Sequence, residues 1–218
     1  MADFWENVSI YLPPYLSADS QDKLFEDVKK FVANGIGEEI YSDAFCESAA
    51  YVMQGDGIGG IFYVDLPDLT PRIANVMVCS NTCDISIENM KTRMNGAKVM
   101  YTPIISLNKY IELLKKRYTQ DRIDAHIKAV REEKITQIMF LPKGSGLKED
   151  SILFFDRMIS LPLTSDFIND CVSKRLFVLS DSGFMLFLLK LSIHFTRIKE
   201  KLDRNLGIDV GAQEQQSK

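Results

Sequence analysis

Histidine, cysteine and tryptophan are scarce in this 218-residue sequence, at two, four and one respectively. So few candidate ligands narrow the scope for metal and thiol chemistry. With nothing marking secretion, Cys46, Cys79, Cys83 and Cys171 are expected to be reduced thiols rather than a disulfide framework. Long apolar runs are missing too. The longest, Phe184 to Leu189, ends at Lys190, far short of the roughly 20 residues a spanning helix needs. The opening Met1-Ala-Asp-Phe-Trp-Glu6 has no basic stretch leading into an apolar one, so the chain is expected to be cytoplasmic and away from membranes. Nor does basic charge dominate: 26 Lys/Arg against 30 Asp/Glu leave a formal net charge of −4, so the whole molecule is no polycation. What is there is an ordinary folded composition, 46% hydrophobic and 26% charged, which excludes wholesale disorder.

The charge is unevenly divided. Residues 1–70 hold 13 acidic side chains against Lys23, Lys29 and Lys30, while the remainder holds 23 basic and 17 acidic ones. Such a division suits either an acidic segment lying over a basic body or solvated faces of both signs. Residues 1–50 are expected to form an acidic helical extension. The consecutive Pro13 and Pro14 exclude a helix interior, whereas Leu24, Phe25, Val28, Phe31 and Val32 share a helical face that stops at Asn34-Gly35. Residues 38–53 read equally as helix or strand.

The pattern then predicts strands at 61–66, 76–79, 98–105, 135–141, 151–161 and 175–179. A helix is expected over 107–133, its register breaking near Thr119, with others over 165–172 and 181–204. Phe184, Phe187, Leu188, Leu191, Phe195, Ile198 and Leu202 keep helical spacing in the last of these. Residues 51–204 form the expected body, and 205–218 a flexible tail.

Several motifs carry two readings. Gly55-Asp-Gly-Ile-Gly-Gly60 satisfies G-x-G-x-x-G, but a dinucleotide fingerprint must open a helix, and here it runs into the strand Ile61-Phe-Tyr-Val64; a glycine-permitted turn is the better expectation. Cys79 and Cys83 could seed a thiolate site, yet the remaining Cys and His are scattered, so no metal or other cofactor is expected. Cys83 as a nucleophile would need a base and a cationic setting. Asn81-Thr-Cys-Asp84 is a concentrated polar turn after an apolar strand, either a binding turn or a structural Asx-turn. His126 and His194 border apolar helical stripes. Lys/Arg groups cluster over 109–134 and in the last helix, as phosphate contacts or as solvated faces.

Two separated stretches resemble the MazF/PemK family of toxin endoribonucleases. Ile61-Phe-Tyr-Val-Asp-Leu-Pro67 followed by Val76-Met-Val-Cys-Ser-Asn81 is similar to the family's strand ending Asp-Leu, loop, and apolar strand with a polar end. Gly146-Leu-Lys-Glu-Asp-Ser-Ile-Leu-Phe-Phe-Asp-Arg-Met-Ile-Ser-Leu161 is similar to its Gly-Leu-x-x-Asp-Ser strand. Together these stretches hold 29 of the 218 residues. The string Ser80-Asn-Thr-Cys-Asp-Ile85 also resembles a group of uncharacterised bacterial proteins.

The family resemblance implies an α+β chain built on an SH3-like, strongly curved small β-barrel, usually a homodimer. It also implies metal-independent cleavage of single-stranded RNA, in which an Arg steadies the scissile phosphate. The sequence departs at those positions. Without gaps, the family's Gly-Asp falls on Gly59-Gly60, its Arg-Pro on Ala74-Asn75 and its Thr on Ile105, with Gly55-Asp56, Arg72 and Ser106 close by. If the chain is an endoribonuclease, the expected catalytic set is Arg72, with Ser106 or Thr102 aiding proton transfer. Asn81, Thr82, Cys83 and Asp84 would position the substrate. The alternative is a catalytically inactive interaction module, in which the acidic segment or another antitoxin-like partner covers the same groove.

Overall fold

The computed structural model describes residues 26–27, 29–42, 51–65, 67, 69–86, 96–196, 202–203 and 208–209. Most of the expected acidic extension, including Leu24, Phe25 and Val28, lies outside the described residues, as does Ile198. What is described of the first fifty belongs to the body: Val32, Ile36, Ile40 and Tyr41 are buried in the main core. Tyr41 bridges Leu179 and donates its hydroxyl hydrogen to the Pro142 carbonyl at 2.6 Å.

The chain is α+β, with a curled antiparallel sheet that forms half a barrel. Its strands are β1 (Gly57–Val64), β2 (Pro71–Val78), β3 (Lys98–Ser106), β4 (Ile138–Leu141), β5 (Ser151–Phe154), β6 (Ile159–Pro162) and β7 (Arg175–Phe177). They run in the order β4-β5-β3-β2-β1-β7, and β6 also pairs with β3. The G-x-G-x-x-G segment opens no helix; Gly57 to Gly60 lie inside β1. Each glycine that matters there has a backbone reason. A Cβ on Gly57 would sit 2.2 Å from the Phe177 ring, and Gly60 takes φ +67° at the bulge between Ile58 and Ile61.

β3 organises the sheet. One edge takes β2 (Val76 opposite Pro103), while the other is shared, β6 along Lys98–Tyr101 and β5 along Ile104–Ser106. The single strand expected over 151–161 is therefore broken, by a 3₁₀ turn at Phe155–Arg157. Continuing the β5 register would place Asp156 opposite Tyr101, but Ile159 stands there instead. The three surplus residues form a corner that sends Phe155 into the core and leaves Asp156 and Arg157 outside.

Alternation then gives the sheet two apolar faces. Ile61, Tyr63, Val76, Val78, Val99 and Tyr101 pack with Ile168 and Cys171 of α3 (Ser165–Ser173). On the other side Met77, Ile152, Phe155 and Phe177 pack with α4 (Asp181–Thr196). The expected helix over 107–133 is two, α1 (Leu107–Lys115) and α2 (Gln120–Arg131), with Thr119 as the N-cap residue of the second. The most buried face of α4 is Gly183, Leu186, Phe187 and Lys190, whereas Phe195 is 61% exposed. Leu202–Asp203 pair with Ile208–Asp209 in a short ribbon (β8, β9) where helix and tail were expected. No described helix is long and apolar enough to cross a membrane.

Lys190 explains how α4 is seated. Its ammonium is fully buried against the equally buried Glu133 carboxylate. It also donates to the carbonyls of Glu133 at 3.1 Å and Ile135 at 2.9 Å, and Glu133 accepts from the Phe140 backbone N–H at 2.8 Å. Glu133 adopts φ +54° beyond the end of α2, so its side chain turns inward. Burial pushes the Glu133 pKa up and the Lys190 pKa down, and each partner's charge opposes that push. Removing one partner strands a buried charge, a loss of about 3–5 kcal/mol, whereas neutralising both costs less. Lys190→Met is expected to lose stability on that scale. Lys190→Met/Glu133→Gln should recover part of it, because Gln still accepts from Phe140; urea unfolding of the two variants measures the difference.

Candidate nucleic-acid interface

On the α3 side of β1 and β2, Tyr63 stands opposite Arg72, so both side chains belong to one face of the sheet. Tyr63 is buried and Arg72 exposed, at the end of the sheet near the loop joining the two strands. Burial raises the Tyr63 hydroxyl pKa, as does Asp65, whose Oδ1 accepts its hydrogen at 3.4 Å; the Arg157 and Arg72 guanidinium groups oppose the rise. Two cations from distant points of the chain thus act on one phenol. Arg157 reaches it from the 3₁₀ corner. Its guanidinium lies 4.6 Å from the Phe154 ring centre, within cation–π range. Phe154 in turn meets Tyr110 of α1 edge-on, 5.4 Å between centroids, and Arg157 opposes the burial-driven rise of the Tyr110 pKa as well.

The expected catalytic residues are not gathered around Arg72. Thr102 is fully buried and spends its hydroxyl hydrogen on the Phe154 carbonyl at 2.7 Å, tying β3 to the corner. Ser106 is the N-cap of α1, its Oγ accepting from the Lys109 N–H at 3.4 Å. Continuing the β2–β3 register puts Ser106 opposite Ile73, so its side chain belongs to the face away from Arg72.

Asn81, Thr82, Cys83 and Asp84 follow the other end of β2. Val78 is six residues from Arg72, about 20 Å at roughly 3.3 Å per residue. This turn is internally occupied: Asn81 Oδ1 accepts from the Cys83 N–H at 2.9 Å, and Thr82 Oγ1 accepts from the Gln54 N–H at 3.0 Å. Ser80 Oγ accepts from the Met100 N–H at 2.7 Å. These bonds pin residues 53–56 and β3 to the end of β2, the work of a structural Asx-turn.

Cys83 is exposed, while burial pushes the Cys79 and Cys171 thiols up to about 12. Among the described residues no three His, Cys, Asp or Glu side chains are grouped to hold a metal. His194 lies 5.9 Å from the Phe155 ring, and His126 shares a hydrogen bond with Tyr110. Tyr63, Phe154, Tyr110 and Arg157 escaped the sequence reading. The one available signal was Asp156-Arg157, a charged pair interrupting an otherwise apolar strand.

Compared with protein-family models and with curated proteins, the chain matches none. The site therefore rests on its own chemistry: two exposed guanidinium groups beside the buried rings of Tyr63 and Phe154 and the half-buried Tyr110, a composition suited to phosphates and to a base.

Asp56, of the Gly-Asp pair nearest the family position, serves the frame. Its Oδ2 lies 3.0 Å from Arg175 Nε in a buried ion pair and accepts from the Met53 N–H at 3.0 Å. Arg175 also donates to the Tyr51 carbonyl, and Asp56 Oδ1 makes no hydrogen bond. Burial raises the Asp56 pKa from 3.8 to about 6, against the pull of the Met53 N–H and Arg175. Between those values the folded protein keeps a proton that the unfolded chain has lost, so stability falls as pH rises through the window. A two-unit shift corresponds to about 3 kcal/mol. Urea unfolding from pH 4 to 7 should show Asp56→Asn gaining on wild type by about that amount; parallel pH profiles would refute this account.

Proposed function

We propose that the protein is a small-barrel, MazF/PemK-like module that binds single-stranded RNA across the rim formed by Arg72, Tyr63 and Arg157. The observation that carries this reading is the presentation of two exposed guanidinium groups, Arg72 opposite Tyr63 on β2 and Arg157 over the Phe154 ring at the 3₁₀ corner, whose charges both act on the Tyr63 phenol. Planar guanidinium forks bind phosphate oxygens in pairs. The half-buried Tyr110 ring, which meets Phe154 edge-on, offers a stacking surface for a base, an arrangement that tolerates many sequences. The curled sheet and the motif likeness at 61–81 and 146–161 support the kinship with that toxin class.

The arrangement favours binding over cleavage. Metal-independent hydrolysis needs a proton donor or acceptor within hydrogen-bond reach of the reacting oxygens. The Thr102 hydroxyl is committed to the Phe154 carbonyl, and Ser106 caps a helix on the opposite face. The inactive recognition module is therefore the form of the function adopted here.

Fluorescence anisotropy with labelled single-stranded RNA tests it. Wild type should bind with an affinity that falls with salt, and each of Arg72→Ala and Arg157→Ala should weaken binding about tenfold and lower the salt slope by about 0.7. The RNA should remain intact during incubation in EDTA. Salt-independent or absent binding by wild type, or unchanged binding by the double variant, would overturn the proposal.

A further inference from the structure

Beside the rim, α1 and α2 diverge around a cleft of about 430 Å³ lined by Tyr110, Leu114, Tyr118, Arg122, Ile123 and His126. That volume lies within the range of small-ligand sites, roughly 300–1,000 Å³. Leu114 and Ile123 supply apolar walls, and two phenol rings supply stacking faces. The lining holds one guanidinium and no carboxylate, which suits an anionic ligand. Polar specificity is concentrated at one point, where Tyr110 Oη and His126 Nε2 are 2.9 Å apart. Burial holds the His126 pKa below its ordinary value, favouring a neutral imidazole that can both donate and accept.

Tyr110 links the cleft to the corner: it lines the cleft and meets Phe154, the buried ring beneath Arg157. A strand with its phosphates on the exposed Arg157 would have the half-buried Tyr110 ring as its next aromatic neighbour. We infer that the α1–α2 cleft is a nucleotide-base pocket, receiving one unstacked base of the bound strand while Arg122 at its edge takes the sugar-phosphate. This rests on the RNA-binding reading but is separable from it, because a pocket for one base should also hold a free mononucleotide.

The experiment is calorimetric titration of the full chain with the four ribonucleoside 5′-monophosphates, their nucleosides and inorganic phosphate, alongside RNA anisotropy. At least one mononucleotide should bind with Kd of about 1 mM or tighter, and inorganic phosphate alone should not. Leu114→Trp, which fills the cleft, should weaken that binding at least about tenfold while RNA binding through Arg72 and Arg157 persists and remains salt-dependent. Arg122→Ala, on an exposed side chain, keeps the test alive if the tryptophan variant misfolds; it should weaken the mononucleotide more than the nucleoside. RNA binding with no mononucleotide binding, or variants that bind mononucleotides as wild type does, would overturn the pocket and leave the rim intact. Cleft-dependent mononucleotide binding with no RNA binding would support the pocket and sink the RNA reading.

Discussion

Two short strands share one edge of β3, and the register between them differs by three residues. A continuous strand cannot absorb that offset, because every residue carries an obligatory backbone donor and acceptor and alternates between faces. The 3₁₀ turn at Phe155–Arg157 absorbs it, and Thr102 accompanies the break by donating to the Phe154 carbonyl. From this constraint follow the curl of the sheet, the burial of Phe155 between the sheet and α4, and the presentation of Arg157 on a corner. The candidate interface exists because the strand breaks where it does.

Two buried ion pairs hold the frame around that corner. Lys190–Glu133 locks α4 to the turn after α2, with the ammonium's three hydrogens directed at one carboxylate and two carbonyls. Asp56–Arg175 ties the start of β1 to β7. Such pairs add little net stability relative to apolar replacements, since desolvation offsets most of the attraction. In the observed seating of α4 the pair satisfies an ammonium that would otherwise lie buried without a counter-charge.

Much of the secondary structure was legible because local patterns are strong there. The break near Thr119 and the span of α3 were visible, but β1 begins at Gly57, four residues before the expected strand and inside the segment expected as a glycine turn. The break at 155–157 was not visible, since Phe154 and Phe155 extend the apolar run that a single strand would show. The buried face of α4 was legible in part. Of the expected stripe, Phe187 is fully buried and Phe184, Leu188 and Leu191 pack against the core, but Phe195 is exposed and Lys190 is buried, and a lysine reads as solvent-facing until its carboxylate partner is known. Asn81 and Thr82, expected to position substrate, accept backbone N–H groups at the far end of β2 from Arg72, a commitment that needs the folded positions of Cys83 and Gln54 to be seen.

By itself the sequence determined most of the elements and the absence of a long spanning run, because propensity, periodicity and turn chemistry act between near neighbours. Only the tertiary structure decided which polar groups remain available for function. Thr102, Ser106 and Asp56 are engaged by partners 52, three and 119 positions away, whereas Arg72 and Arg157, 85 positions apart in the chain, are both left exposed with their charges acting on one phenol. Hydrogen-bond commitment and burial are properties of the packed chain, and no spacing along the sequence encodes them.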